Sequence, residues 1–166
     1  GIPVILVDRT ISKKDESLYT TRVGTDTYWE GEQAGIWLEQ ELADAGQQDD
    51  IINIVGLEGT TGATSQIGRS VGFETIAKQH ENWNIMASES GDFTTAKGKE
   101  VMQKYLWLYE DIDVLVSQND DMTFGAIEAL KESGRYIGVD DDIRIISFDA
   151  GRSALELVKA GEIDVD

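Results

Sequence analysis

Short apolar runs alternate with helical patterns along this chain at a regular beat, and that alternation limits the folds open to it. Residues 4–7, 51–57, 85–88, 114–117 and 143–148 read as strands, with a last strand beginning at Ile163. Between them the spacing predicts helices near 27–45, 65–80, 95–109, 121–133 and 153–160. The first carries Ala34, Trp37, Leu38 and Leu42 on one face, which is core spacing. Met122, Ala126, Ile127 and Leu130 do the same in the fourth. Thr27 with Glu30, and Ser153 with Glu156, have the capping-box spacing, and Gly46, Gly134 and Gly161 stand where helices should stop. Trp37 and Trp107 read as core residues rather than ligand platforms. Such alternation predicts an α/β fold, a doubly wound parallel sheet with helices on both faces. The near-continuous apolar strands fit that double cover.

One segment breaks the beat. "DRTISKKDESLYTTRVGTD" has no helix pattern and is long for a loop inside a compact domain. Residues 19–23 read as a strand leading to a different sheet. The expected organisation is therefore 1–22, the last strand of a neighbouring lobe plus a crossing segment, and 23–166, an α/β lobe. The chain opens directly on a strand with no leading tail, so it reads as a fragment.

Composition removes several functions. The 166 residues suit one domain able to bury roughly 70% of its unfolded surface. Lys plus Arg total 14 against 32 Asp plus Glu, a formal net charge of −18. That surface repels phosphate backbones and anionic lipid, so nucleic acid and membrane surfaces are not expected partners. No window reaches the ~18 apolar residues of a membrane span. With no cysteine there is no disulfide, thiolate chemistry or cysteine metal site. The single histidine, His80, leaves nothing to build a Ser-His-Asp triad or a multi-histidine zinc site. Its setting "AKQHENWN" reads as a helix end with a solvated ring. "VDDDIR" at 139–144 lacks the Gly and bidentate Glu of a calcium loop and reads as a solvated turn. "GLEGTTG" has neither the dinucleotide spacing nor the P-loop ending, and reads as a tight strand-to-helix turn. No metal or cofactor is expected.

The residues just past each strand are more informative. Asp8 and Arg9 come after the first, and a Gly-rich turn leading to Arg69 after the second. Asp92 and Phe93 come after the third; Asn119, Asp120 and Asp121 after the fourth; Asp149 after the fifth. In a parallel sheet these ends share one edge, which is where open α/β sheets bind ligands. Carboxylates, an amide, two guanidinium groups and an aromatic ring suit a sugar. Its hydroxyls donate to the acidic oxygens and accept from arginine, while the ring covers its C–H face. A phosphate would want mostly donors. The competing reading is structural: Asp120, Asp121 and Asp149 cap helices. Paired carboxylates also occur in glycosidases. Here the arginines are expected to hold the neighbouring carboxylates ionised, which denies the raised pKa of a general acid. No nucleophile-base pair is visible, so the expectation is a binding protein and not an enzyme. A receiver-type phosphoacceptor would need an early acidic pair and a Lys after a late strand, and neither is present.

The segments "GIPVILVDR", "EGTTGATSQIGRSVGF", "SGDFTTAKGKEVM", "QNDDMTFGAIEALKESG" and "IISFDA" together resemble the bacterial solute-binding proteins for ribose, galactose and related sugars. Within that family the sequence is most similar to the galactofuranose binders. The resemblance implies two similar α/β lobes joined by crossing strands, with a pentose or hexose bound between them and a hinge that closes. It implies docking on an ABC transporter permease, a periplasmic or extracellular location, and compatibility with a lipoprotein tether. It implies that Asp8 and Arg9 contact the sugar from the first lobe, and that Arg69, Phe93, Asn119 and Asp149 contact it from the second. Asp26, near the crossing, is a looser match. The first lobe is represented only by its apparent final strand. The alternative is the effector-sensing core of a lactose-repressor-like regulator, which shares the fold; the acidic surface and the "QNDDM" version of the motif lean away from it.

Overall fold

Four of the apolar runs assemble into one sheet. The computed structural model describes residues 2–11, 13–135 and 143–166. Its strands are β1 (Ile5–Val7), β2 (Thr21–Val23), β3 (Ile52–Glu58), β4 (Trp83–Ser90), β5 (Val114–Ser117) and β6 (Arg144–Ile146). Its α-helices are α1 (Thr27–Asp44), α2 (Thr64–Ala77), α3 (Thr95–Leu108), α4 (Asp120–Ser133) and α5 (Arg152–Ala160). The four-stranded sheet has the order β4-β3-β5-β6 and is parallel throughout, with Ile54 opposite Ile85 on one side and Val114 on the other. Most of the "VDDDIR" turn lies outside the described residues.

Strand residues alternate between two cores, as the two-residue period requires. Ile52, Ile54, Val114 and Val116 meet α1 and α2 through Ala34, Leu38, Leu42 and Phe73. Val55, Leu57, Leu115 and Ile145 meet α3, α4 and α5 through Met102, Tyr105, Met122, Leu130 and Ala154. Each fully buried Leu or Ile contributes about 1.5–3 kcal/mol. Tyr105 lies fully inside, with its hydroxyl donating to the Gly56 carbonyl at 2.8 Å. The doubly wound expectation therefore holds. Helices α1 and α2 touch almost backbone to backbone: a Cβ on Gly31 would collide with the Arg69 carbonyl, and one on Gly72 with the Tyr28 carbonyl. This contact brings Arg69 and Glu30 together.

Several local expectations are corrected. The helix caps differ from the capping-box reading. Asp26 caps α1, accepting from the Trp29 N–H at 3.2 Å, because Glu30 is turned toward Arg69 instead. Helix α5 starts after Gly151, whose N–H is held by Asp120 at 2.8 Å, so Ser153 lies inside the helix. The stop signals at Gly134 and Gly161 do end helices, in left-handed conformation. Trp107 is 83% exposed, because Val101, Met102 and Tyr105 already fill the inner face of α3. His80 is not simply solvated; its ring stacks on Trp83, centroids 4.3 Å apart, with Nε2 3.6 Å from Glu39. The final strand is reduced to a single bridge, Val165 with Ile146. The patternless segment holds a 3-10 helix, Lys13–Leu18, whose three-residue period leaves no amphipathic signal. Strands β1 and β2 form their own two-stranded parallel sheet.

Candidate functional site

The carboxyl ends of β3 to β6 open on one edge, and the backbone there is unusual. Among the described residues, five non-glycine residues have positive φ: Asp8, Asp92, Phe93, Asp149 and Ala150. Each stands within four residues of a strand's carboxyl end. Such conformations cost on the order of 1–3 kcal/mol each and persist only where the surroundings fix them.

Arg69 is the centre of the edge. Close packing of α2 on α1 buries it, and its side chain is 8% exposed. Nε donates to Glu30 at 2.9 Å, Nη2 to Asp149 at 2.9 Å, and Nη1 to the Gln118 carbonyl. The guanidinium also lies over the Phe148 ring, 4.9 Å from its centroid. Three of its five N–H groups are thereby used. Asn119 caps α4, its Oδ1 accepting from the Met122 N–H at 3.0 Å. Asp120 reaches across to α5: one oxygen takes the Gly151 N–H, the other the Ser147 hydroxyl at 3.3 Å. Asn119, Asp120, Phe124, Asp149 and Arg152 border a hollow of about 270 Å³.

The electrostatics overturn one expectation. The Asp149 carboxyl is pushed above its ordinary value, because burial outweighs the opposing pull of Arg69; Asp120 and Glu30 add to the rise. Pairing with arginine therefore does not hold it low. Asp166 is pushed up to about 6, chiefly by burial, with Asp120 and Asp149 adding and the Ala150 N–H opposing.

The sequence-predicted residues divide into groups. Arg69 and Asp149 touch directly, and Asn119 and Asp149 share the hollow. Phe93 lies on the β4 side, pressed against Gly59, where any Cβ would overlap its ring. Arg9 comes from the end of β1 to lie 5.1 Å from the Phe93 centroid, with Asp8 3.7 Å from its Nε. Asp26 stands apart as the α1 cap. Sequence reasoning missed Glu30, Gln118 and Phe148 as partners of Arg69. Glu30 was hidden by its capping-box spacing. Gln118 carried a signal, a polar residue immediately after an apolar strand.

The chain belongs to the periplasmic binding protein domain family, which matches residues 1–165. It is 43% identical over 142 residues to the galactofuranose-binding protein YtfQ of Escherichia coli (strain K12), covering 84% of this chain and 43% of YtfQ. A Mycobacterium smegmatis protein solved in complex with β-D-fucofuranose superposes with a TM-score of 0.90 at 41% identity, covering 98% of this chain and 52% of that one. The periplasmic binding protein component of the arabinose ABC transporter from Shewanella sp. ANA-3, bound to α- and β-L-arabinofuranose, gives 0.88 at 38% identity, covering 98% and 52%. The chain thus spans about half the length of the relatives it matches. YtfQ is named for a sugar and the Shewanella protein for a sugar transporter, and neither favours the regulator reading. No described helix is long and apolar enough to cross a membrane.

Proposed function

We propose that this chain is the second, sugar-contacting lobe of the solute-binding component of an ABC importer, and that its ligand is a monosaccharide in furanose form. The observation that carries the reading is the strained backbone at the edge of the four-stranded sheet, which includes Phe93 and Asp149, with Asp8 strained likewise at the end of β1 in the other sheet. Strain gathered at one edge supports a binding role over simple helix capping. The furanose assignment is drawn from the ligands of the relatives.

In this reading residues 1–22 are the last strand of the first lobe and the crossing, and 23–166 are the second lobe. Arg69 offers its two remaining N–H groups to sugar oxygens. Asn119 caps with its oxygen and offers its NH₂ to the ligand. Asp149, whose side chain is 48% exposed, accepts from hydroxyls with its outer oxygen. Phe93 covers the C–H face, and Asp8 and Arg9 close from the other lobe. Asp26 serves the crossing. Closure excludes water and strengthens each of these bonds. The loaded protein docks on the permease in the periplasm, where a lipoprotein tether would hold it near its partner. The sugar leaves unchanged.

Titration calorimetry of the full-length protein against furanose and pyranose sugars tests this. Asn119→Ala and Asp149→Ala are each expected to weaken binding about tenfold or more, with unaltered circular dichroism. Silent substitutions would overturn the site. Nitrophenyl glycosides are expected to give no release above background.

A further inference from the structure

Gln118 comes directly after β5 and is 4% exposed. Every polar atom it has is bonded. Its N–H donates to the Leu57 carbonyl at 2.9 Å. Its Oε1 accepts from the Gly59 N–H at 2.9 Å. Its Nε2 donates to the Gln66 carbonyl at 3.2 Å and the Ser70 hydroxyl at 2.8 Å. Its own carbonyl accepts from Arg69. One residue therefore ties together the end of β3, the turn after it, the first turns of α2 and the guanidinium.

The turn matters because Phe93 sits on it. The ring lies against Gly59 so closely that no Cβ fits between them. Where Gly59 goes, the aromatic face goes. Glu58 braces the far side, accepting from Gln66 Nε2 and the Ser70 hydroxyl, each at 2.9 Å. The place filled by Gln118 needs an acceptor and a donor at the end of a two-methylene stem. Ionised Glu supplies only acceptors, Met supplies no donor and only a weak acceptor, and Asn is too short.

We propose that Gln118 is a positioning residue for the sugar site: its side-chain bonds hold in place the main-chain carbonyl that meets Arg69, and they hold Phe93 through the Gly59 turn. The ligand arm of this proposal rests on the sugar-binding reading above; the positioning arm does not.

The test uses the full-length protein with Gln118→Glu and Gln118→Met. The first readout is the Nε–Hε resonance of Arg69 in ligand-free protein, assigned by its loss in Arg69→Lys. The second is the affinity for L-arabinose, each variant compared with wild type at the same pH. At about pH 8 the carboxylate introduced by Gln118→Glu faces the Gln66 carbonyl and lies near Glu58, so the resonance is expected to move and affinity to fall about tenfold or more. The buried carboxyl titrates above its ordinary range of about 4.3, since burial and Glu58 both oppose ionisation, while Arg69 on the carbonyl side opposes that rise. At about pH 5 its O–H restores a donor in the original place, and both readouts are expected to return toward wild type. Unaltered circular dichroism at pH 8 separates positioning from general disruption, and the recovery at pH 5 ties the loss to the missing donor. Gln118→Met has no such recovery; if it fails to fold, the pH series of Gln118→Glu still decides. An Arg69 resonance and an affinity both unchanged at pH 8 would overturn the proposal, as would loss without recovery at pH 5. If wild type binds no arabinose while the resonance shifts and recovers, the positioning role stands and arabinose is excluded as the ligand.

Discussion

Strand β1 of the two-stranded ribbon is as apolar as β5 of the four-stranded lobe, yet the two are covered very differently. All four residues of β5 are buried. In β1, Ile5 is 59% exposed and Val7 74%. Both are parallel and both have backbone partners. The difference teaches that an apolar run marks a strand meant to be covered without supplying the cover. Hydrogen bonds alone hold such a strand weakly, since a two-stranded sheet of three residues a side has almost no apolar area to bury. What fixes the ribbon is polar. Arg22 donates to the Asp8 carbonyl at 2.6 and 3.0 Å and to the Thr25 carbonyl at 3.1 Å.

The largest expected effect is in amide exchange. Val55 and Leu115 are expected to exchange only through global unfolding, with protection worth about 5–15 kcal/mol, while Leu6 and Arg22 open locally and exchange orders of magnitude faster. Equal protection of Leu6 and Leu115 in a dilute monomer would erase the comparison. Next comes a pair of glycine substitutions. Gly72→Ala forces α2 away from the Tyr28 carbonyl and is expected to cost about 1–3 kcal/mol, with Tm falling roughly 2–4 °C per kcal/mol. Gly24→Ala meets the Asp8 carbonyl and Arg22 in the ribbon, so it should loosen β1 while leaving the calorimetric Tm unmoved. A smaller effect is expected from Arg22→Gln: faster exchange at Leu6 and Val7, with global stability within about 0.5 kcal/mol of wild type.

The smallest effect concerns pH. The Asp149 pKa is raised by folding, so the folded state binds its proton more tightly than the unfolded chain does. Its contribution to stability is present below the ordinary carboxylate pKa of about 3.9 and is lost as pH rises through the raised value. Asp149→Asn, which tolerates the positive φ, is therefore expected to match or slightly exceed wild-type stability at neutral pH, with the gap closing as acid is added. Chemical denaturation at a series of pH values checks this. A deficit that is large at neutral pH and vanishes in acid would mean that the Arg69 pair outweighs burial.

Period and punctuation made the lobe legible. The strands, the core faces of α1 and α4, and the glycine stops can be read because each leaves a repeating or conformational mark. The 3-10 turn leaves none, and Trp107 misleads because a lone large residue does not reveal which face of a helix is already filled. The edge of the sheet was legible as a set of residue types. Its wiring was not. Glu30 meets Arg69 from 39 positions away and Asp149 from 80, and no local pattern encodes which acid a buried arginine will choose. The direction of the Asp149 shift was equally hidden, since it depends on how much solvent the folded edge removes.

The placement of the four tryptophans decides what light can report about this molecule. Trp107, almost bare at the end of α3, emits as an indole in water whatever happens at the opposite end of the sheet. Trp83 lies face to face with the His80 ring at the start of β4, the end of the strand away from the edge. A flat fluorescence titration against sugar would therefore be dominated by a bystander. Trp29, in the first turn of α1, and Trp37, further along the same helix, share a hollow with Phe148 and are the indoles whose colour follows the edge. Replacing Trp107 with Phe removes the glare and leaves those two reporters to be seen.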